Sequence, residues 1–315
     1  MIPKSGNRFS DKIMHNGKKS GESDSTQSNQ TVAPAQSPAR VALRQLRRSR
    51  LALPGLAIVL VFILCGILAP LIAPDDPYRN DLMNVLMPPS AAHWFGTDEL
   101  GRDLFSRILY GTRISLAEGL ISVALAAAIG VPVGLVAGYA GGAVAAVIMR
   151  IIDVLLAFPG VLLAIVIISI LGPGLTNAII AVAIYTVPIF ARLARGATLT
   201  VKDEPYVEAA RAAGLSDLRI LARHVFPNIS ATLFVMMTLR VAIAILTAAS
   251  LSFLGLGAQA PLPEWGAMLA ASRSAMLIAP HVALFPGLAT ILLVFGLNLF
   301  QDGLRQVLDP KLQDR

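Results

Sequence analysis

Tyr206-Val-Glu-Ala-Ala-Arg-Ala-Ala-Gly214, continuing to His224-Val-Phe-Pro-Asn228, is a polar island in a chain whose flanks are long apolar runs. Asp203, Glu204 and Pro205 precede it and read as a helix start. Carboxylates favour the positive helix N-terminus, and proline fits the first turn, where its missing N–H costs little. Val207, Ala210, Arg211 and Gly214 fall at i, i+3, i+4 and i+7, so the helix is predicted to carry one small, weakly apolar face that a large surface could approach closely. Gly214 is predicted to end this helix as its C′ residue. Ser216 and Asp217 are predicted to cap a second helix, Leu218 to Val225, which Pro227 stops. Taken alone, these signals fit an ordinary connector between membrane spans as well as a docking surface.

The flanks decide the fold class. Apolar residues make up 55% of the 315, charged residues 14%, and the mean hydropathy is +0.69. Those values place the chain among polytopic membrane proteins. A helix needs about 20 apolar residues to cross a hydrocarbon core of about 30 Å. Six segments are long enough: Leu51 to Ala73, Ser115 to Tyr139, Val154 to Leu171, Asn177 to Ala194, Ala231 to Leu256, and Ala283 to Gln301. The expected fold is therefore an all-α membrane protein with six transmembrane helices. Its expected divisions are a disordered basic cytoplasmic tail at 1–38, a juxtamembrane segment and first span at 39–73, an extracytoplasmic loop at 74–114, a transmembrane core at 115–305 containing the polar loop 200–228, and a C-terminal cytoplasmic tail at 306–315.

The formal charge of +7 invites a nucleic-acid reading until its location is examined. Residues 1–50 carry ten Lys/Arg against three Asp/Glu, so the whole excess belongs to the tail. Arg40 to Arg50 abuts the first apolar run, where the positive-inside rule places cytoplasmic charge. Membrane topology accounts for the charge, and no nucleic-acid partner is expected. Six crossings then put both termini and the 195–230 loop inside. Arg192 to His224 holds six Lys/Arg, whereas the opposite loop 257–282 holds only Arg273. With about fifty polar residues ahead of it, the first span reads as a retained signal anchor.

Some chemistry is missing. The lone Cys65 excludes an intrachain disulfide. His15, His93, His224 and His281 are dispersed without HExxH or paired-ligand spacing, so no metal site is expected. Gly17-Lys18 lacks the Walker glycine and is followed by Lys19, so the chain carries no ATPase motif and no bound cofactor is expected. Gly130, Gly134, Gly138 and Gly142 recur every fourth residue, a ridge for close helix approach. Pro159-Gly160, Pro188 and Pro286-Gly287 are candidate hinges. Glu118 and Asp153 sit near span ends, with Asp153 placed to pair with Arg150 at i, i+3. This placement weakens the alternative of an ion-coupled secondary transporter, which calls for carboxylates within the membrane. Arg240, inside the fifth span, must face a carboxylate, a water-filled path or the interface, and is both a candidate pathway residue and a candidate structural one.

Glu208-Ala-Ala, Gly214 and Phe226-Pro227 resemble the cytoplasmic EAA loop of ABC importer permeases. Gly96-Thr-Asp-Glu-Leu-Gly-Arg-Asp-Leu-Phe-Ser-Arg107, Ser252-Phe-Leu-Gly-Leu-Gly257 with Pro263-Glu-Trp-Gly266, and Asp302-Gly-Leu-Arg305 resemble the C-type permease of dipeptide, oligopeptide and nickel transporters. The resemblance implies a type I importer permease fold in the bacterial cytoplasmic membrane and a transport subunit rather than an enzyme. It also implies a second homologous permease as heterodimer partner, two cytosolic ATPases that use the ATP, and an extracytoplasmic binding protein. The cargo it implies is a di- or oligopeptide, with nickel or another small solute as the alternative. Glu208 would pair with a basic residue of an ATPase, with Ala209, Ala210 and Gly214 as close-packing elements and Pro227 completing the loop. Outside the membrane, Thr97-Asp98 is expected to cap a helix through Leu104, Ile108 and Leu109, and Arg102 and Asp103 to pair within the loop or with the binding protein. Trp94 and Trp265 are expected at the membrane interface or a binding-protein contact.

Overall fold

The computed structural model describes residues 51–308. The predicted tail 1–38, the basic run ending at Arg50 and residues 309–315 lie outside them. Among the described residues the only regular elements are helices: α1 (Ala52–Ile72), α2 (Leu104–Ala140), α3 (Gly142–Ala157), α4 (Gly160–Leu171), α5 (Leu175–Val201), α6 (Pro205–Ala212), α7 (Asp217–Ile220), α8 (Phe226–Phe253), α9 (Trp265–Ala271) and α10 (His281–Leu308). Five helical stretches are long and apolar enough to cross a membrane, and α3 with α4 makes a sixth if that bent pair is one span.

Three boundaries differ from the expected ones. The loop predicted over 74–114 ends early, because α2 begins at Leu104 and runs 37 residues. At 1.5 Å per residue that is about 55 Å, well beyond a hydrocarbon core of about 30 Å. Its cap is Asp103, whose carboxylate accepts from Ser106 N at 2.8 Å, not Thr97-Asp98. The third span, predicted as one helix from Val154 to Leu171, is broken: α3 and α4 meet at 93°. Proline pushes the residue before it out of the helical region, and Phe158, ahead of Pro159, is extended at φ −89°, ψ 137°. Pro188 and Pro286, the other candidate hinges, lie inside uninterrupted helices α5 and α10.

The third difference is at Pro227, which does not stop its helix. Leu221–Val225 forms a π-helical turn that joins α7 to α8, and the Phe226 N–H reaches back five residues to Leu221 O. The wider turn takes proline without breaking the chain's direction, and Asn228 Nδ2 donates to His224 O at 2.6 Å. Ser216 sits at the N-cap of α7 in extended backbone, but its side chain makes no capping bond.

The centre of the fold is the pairing of α2 with α5. A Cβ on Gly130 would lie 2.5 Å from Val187 O, and one on Gly134 would lie 2.3 Å from Ala191 O. On Gly138 it would lie 2.7 Å from Thr198 Cβ. Backbones this close leave no room for a side chain, and the small Ala191 and Ala194 on α5 complete the fit. The predicted ridge ends there. Gly142 begins α3 at φ +52° with open space around its Cβ direction. Against this centre pack α1, α8 and α10, with α9 laid across α2, α8 and α10.

Trp265, expected at a membrane interface or partner contact, is fully buried. Its Nε1 donates to Ile108 O at 3.2 Å and its ring meets Phe62 edge-on at 5.8 Å. Gly111 makes this seat possible, since a Cβ there would lie 2.2 Å from Pro263 O. Trp94, by contrast, is 59% exposed and leans on Phe105 at 4.9 Å.

Candidate functional site

The polar island folds as a short platform, α6, fixed at both ends. Glu204 is its N-cap in extended backbone and Pro205 its first residue, as the sequence indicated. At the other end Gly214 adopts φ +77°, a conformation costly for residues with a Cβ. Its N–H bonds Arg211 O at 3.0 Å, and Leu215 N–H bonds Ala210 O at 3.2 Å. That pair of bonds is a Schellman motif, which satisfies the last carbonyls of the helix and turns the chain toward α7. A Cβ on Gly214 would touch nothing within 4 Å, so within this chain the glycine serves conformation, not close packing.

The face the platform presents is the reverse of the expected one. Val207 and Ala210 are buried against the permanent core of the chain, beside Ile220 and Val225. Glu208, Ala209, Ala212 and Ala213 are exposed. The periodicity correctly identified an apolar stripe, but that stripe anchors α6 to its own chain, and Ala210 belongs to the anchor. Among the described residues the Glu208 side chain has no hydrogen-bond or ion-pair partner. Arg211 lies over the Tyr139 ring at 5.6 Å, and Tyr139 Oη donates to Asp217 Oδ1 at 2.9 Å, tying the platform to the end of α2 and to α7. The Tyr139 hydroxyl raises the already high Arg211 pKa. Leu218, 78% exposed, Phe226 and Pro227 extend the presented surface along α7 and the start of α8.

On the opposite loop, the 96–107 block is an internally bonded structure. Asp98 accepts from Leu100 N, Arg102 N and Arg102 Nε, the last at 2.7 Å, and Arg107 Nε lies 3.4 Å from it. Arg107 also donates to Pro77 O at 2.7 Å. Arg102, Asp103 and Arg107 are buried, so these residues pair inside the loop. His93 Nδ1 meets Asp103 Oδ1 at 3.0 Å and Asp75 Oδ2 at 4.0 Å. This is the one His/carboxylate group among the described residues with ligand atoms close enough for a metal. Both Asp103 oxygens are already used, by His93 on one side and by Ser106 N and Oγ on the other, which is a cap arrangement. The Asn84 amide and Met83 N–H hold the Asp81 carboxyl below its ordinary range.

Two other charges sit apart from both regions. Arg240 is half-buried in α8 and its Nε has no partner. Asp153 pairs with Arg192 of α5 at 2.6 Å, not with Arg150 on its own helix. Beside that pair, an open groove of about 580 Å³ runs between α3, α5 and α8, lined by Leu156, Ile189, Arg192, Gly196, Thr200 and Thr232. The contacts Tyr139 makes with Arg211 and Asp217, and His93 with Asp103, have no signal in the sequence, because the partners are 72, 78 and 10 residues apart with no periodic link.

The pattern of the family described as "Binding-protein-dependent transport system inner membrane component" matches residues 130–314. The chain belongs to this permease family. A second pattern, the "N-terminal TM domain of oligopeptide transport permease C", matches residues 37–89 of the permease. Among its relatives, the dipeptide transport system permease protein DppC of Alkalihalophilus pseudofirmus is 49% identical over 279 residues, covering 89% of this chain and 92% of the relative. The glutathione transport system permease protein GsiD of Pectobacterium atrosepticum is 50% identical, covering 88% and 92%. GsiD of Escherichia coli O157:H7 is 52% identical, covering 86% and 89%. In fold, the permease is similar to an inward-facing structure of the MetNI methionine ABC transporter, with a TM-score of 0.53 and 20% identity over 64% of this chain and 97% of that one. The chain is thus a multi-pass inner-membrane transport component of the ABC importer class and not an enzyme.

Proposed function

We propose that this permease carries short peptides, dipeptides or tripeptides of glutathione size, into the cell by alternating access, as one half of a heterodimer with a second homologous permease. The observation that carries the reading is the platform α6. It offers Glu208 and Ala209 outward, has no internal partner for the carboxylate, and is anchored by Val207, Ala210 and the Schellman turn. A rigid, small-residue helix with an unpaired charge suits the transmission of force from another protein. ATP is bound and hydrolysed by two partner ATPases docked there, on the cytoplasmic side. The 96–107 block faces the extracytoplasmic binding protein, and its internal pairing of Asp98, Arg102 and Asp103 keeps that surface in shape. The peptide cargo rests on the dipeptide and glutathione transport of relatives near 50% identity over most of the chain.

A cysteine at Ala209, tested in the full complex with its ATPases, checks the docking arm directly. A disulfide or short bifunctional cross-link to an ATPase subunit, with yield changing between nucleotide-free and ATP-bound states, is the expected result. Cross-linking to lipid-facing probes alone, with none to an ATPase, would remove α6 as the docking point.

A further inference from the structure

Where the outer loop meets α2, three segments bring one imidazole and two carboxylates to a single point. Asp75 follows the end of α1, His93 lies in the loop, and Asp103 is the N-cap of α2. Their ligand atoms, one from each residue, all lie within 4.8 Å of one another. The surrounding chain holds these positions. Ser106 Oγ donates to Asp103 Oδ2 at 2.8 Å and accepts from Asp75 N at 3.2 Å, so a single hydroxyl fixes two of the three residues. His93 is fixed by its own turn: its N–H donates to Ser90 Oγ at 3.1 Å, and its carbonyl accepts from Ser90 N at 2.8 Å and Gly96 N at 3.0 Å. Hydrogen bonds of this kind are the outer support that orients ligands in metal sites.

Among the described residues neither Asp75 nor Asp103 has an arginine or lysine within ion-pair distance, and Arg102 and Arg107 are both turned to Asp98. The Asp103 side chain is nevertheless fully buried, and its Oδ1 meets only His93 Nδ1, at 3.0 Å. Asp75 Oδ2 lies 4.0 Å from the same nitrogen and accepts no hydrogen bond among the described residues. A proton on Nδ1 serves two atoms and leaves the third unpaired. A metal ion serves all three. With bonds of about 2.0–2.1 Å, the ligand atoms of a tetrahedral ion sit about 3.3 Å apart. The His93–Asp103 edge is already near that value. The Asp75 side chain, 42% exposed and free to move, closes the remainder with a shift of at most about 1.5 Å. One imidazole nitrogen with two carboxylate oxygens suits a divalent transition ion, whereas calcium and magnesium take oxygen ligands throughout.

We propose that Asp75 Oδ2, His93 Nδ1 and Asp103 Oδ1 form a site for a divalent transition cation of the zinc type, which staples the end of α1 to the start of α2. Asp103 Oδ2 keeps its bonds to Ser106 N and Oγ, so the helix cap and the metal ligand are the two oxygens of one carboxylate. The fourth position, on the exposed Asp75 side, is left to water. The ion is a resident of the outer loop and not cargo. Its role is to stiffen the base of the 96–107 block, whichever solute the permease carries.

Zinc binding to the full-length, untagged permease in lipid nanodiscs, followed by calorimetry and by metal analysis after dialysis, tests this. One zinc per permease is the expected result, with the melting temperature raised by several degrees at saturation. Asp75→Asn, which leaves the Asp103 cap intact, should weaken zinc binding by more than about tenfold. Calcium or magnesium in large excess should not displace the zinc. A readout that needs no variant is protection of the wild type: zinc should shield His93 from diethylpyrocarbonate, located by mass spectrometry, while the other histidines react at unchanged rates. Failure to retain zinc, binding unchanged in Asp75→Asn, or equal modification of His93 with and without zinc would overturn the proposal. Displacement by calcium would also overturn it, by showing that the ion is held through oxygens alone.

Discussion

Replacing Gly214 separates two physical roles that the resemblance to the EAA loop leaves merged. The residue sits at φ +77°, and an added Cβ meets nothing within 4 Å. An alanine there costs nothing in space but about 1–2 kcal/mol in backbone conformation, a factor of roughly 5 to 30 in the population of the ordered turn. Asparagine tolerates the left-handed region and should cost only a few tenths of a kcal/mol. Valine, with a branched Cβ, should be worst. The strain falls on the two Schellman bonds, Gly214 N to Arg211 O and Leu215 N to Ala210 O, so it loosens the end of α6 while leaving the spans intact. Measured as transport-coupled ATP hydrolysis in proteoliposomes at matched membrane abundance, activity should fall in the order Gly, Asn, Ala, Val. If Asn proves as damaging as Val and Ala nearly harmless, size rather than backbone conformation governs the site, and the glycine is a contact point for a partner.

Further outcomes follow from the same geometry. Glu208→Arg should abolish coupled ATP hydrolysis yet shift thermal stability by less than about 0.5 kcal/mol, as the side chain has no internal partner; a matching loss of stability and activity would contradict a docking role. Gly134→Ala should destabilise by about 1–3 kcal/mol and lower membrane abundance, because its Cβ would lie 2.3 Å from Ala191 O. The same change at Gly142, in open space, should lack that steric penalty. Trp265→Ala should cost about 3–5 kcal/mol, seen as lost abundance, while Trp94→Ala should accumulate normally. Arg240→Ala distinguishes the pathway role from a structural one: altered uptake kinetics at unchanged abundance supports the former, and the reverse supports the latter.

The helical membrane class, five of the spans and the start and stop of α6 were legible because each depends on local signals: apolar length, Glu204-Pro205, and a glycine at C′. What escaped was whatever depends on a distant partner. Val207 and Ala210 announced an apolar face, but nothing local says whether such a face meets another protein or its own core. Trp265 illustrates the same limit, since an aromatic in a loop between spans suits an interface until Gly111 opens a slot for it on α2. Proline gave opposite outcomes at similar positions. Phe158-Pro159 turns the chain by 93°, whereas Pro227 is absorbed by a π-turn. The difference lies in whether the preceding residues can widen a turn and re-pair their carbonyls. Glu118 and Asp153 looked alike in sequence, yet one is buried within α2 and the other is exposed against Arg192.

The central claim is that this permease imports peptides with energy delivered from outside its own chain. It is tested most directly by following labelled dipeptide and glutathione uptake into proteoliposomes containing the complete complex and its binding protein, with ATP or an ion gradient supplied separately. Accumulation that requires ATP on the α6 side and is lost in Glu208→Arg is the expected result. Accumulation driven by a proton or sodium gradient without ATP, and indifferent to Glu208, would contradict it.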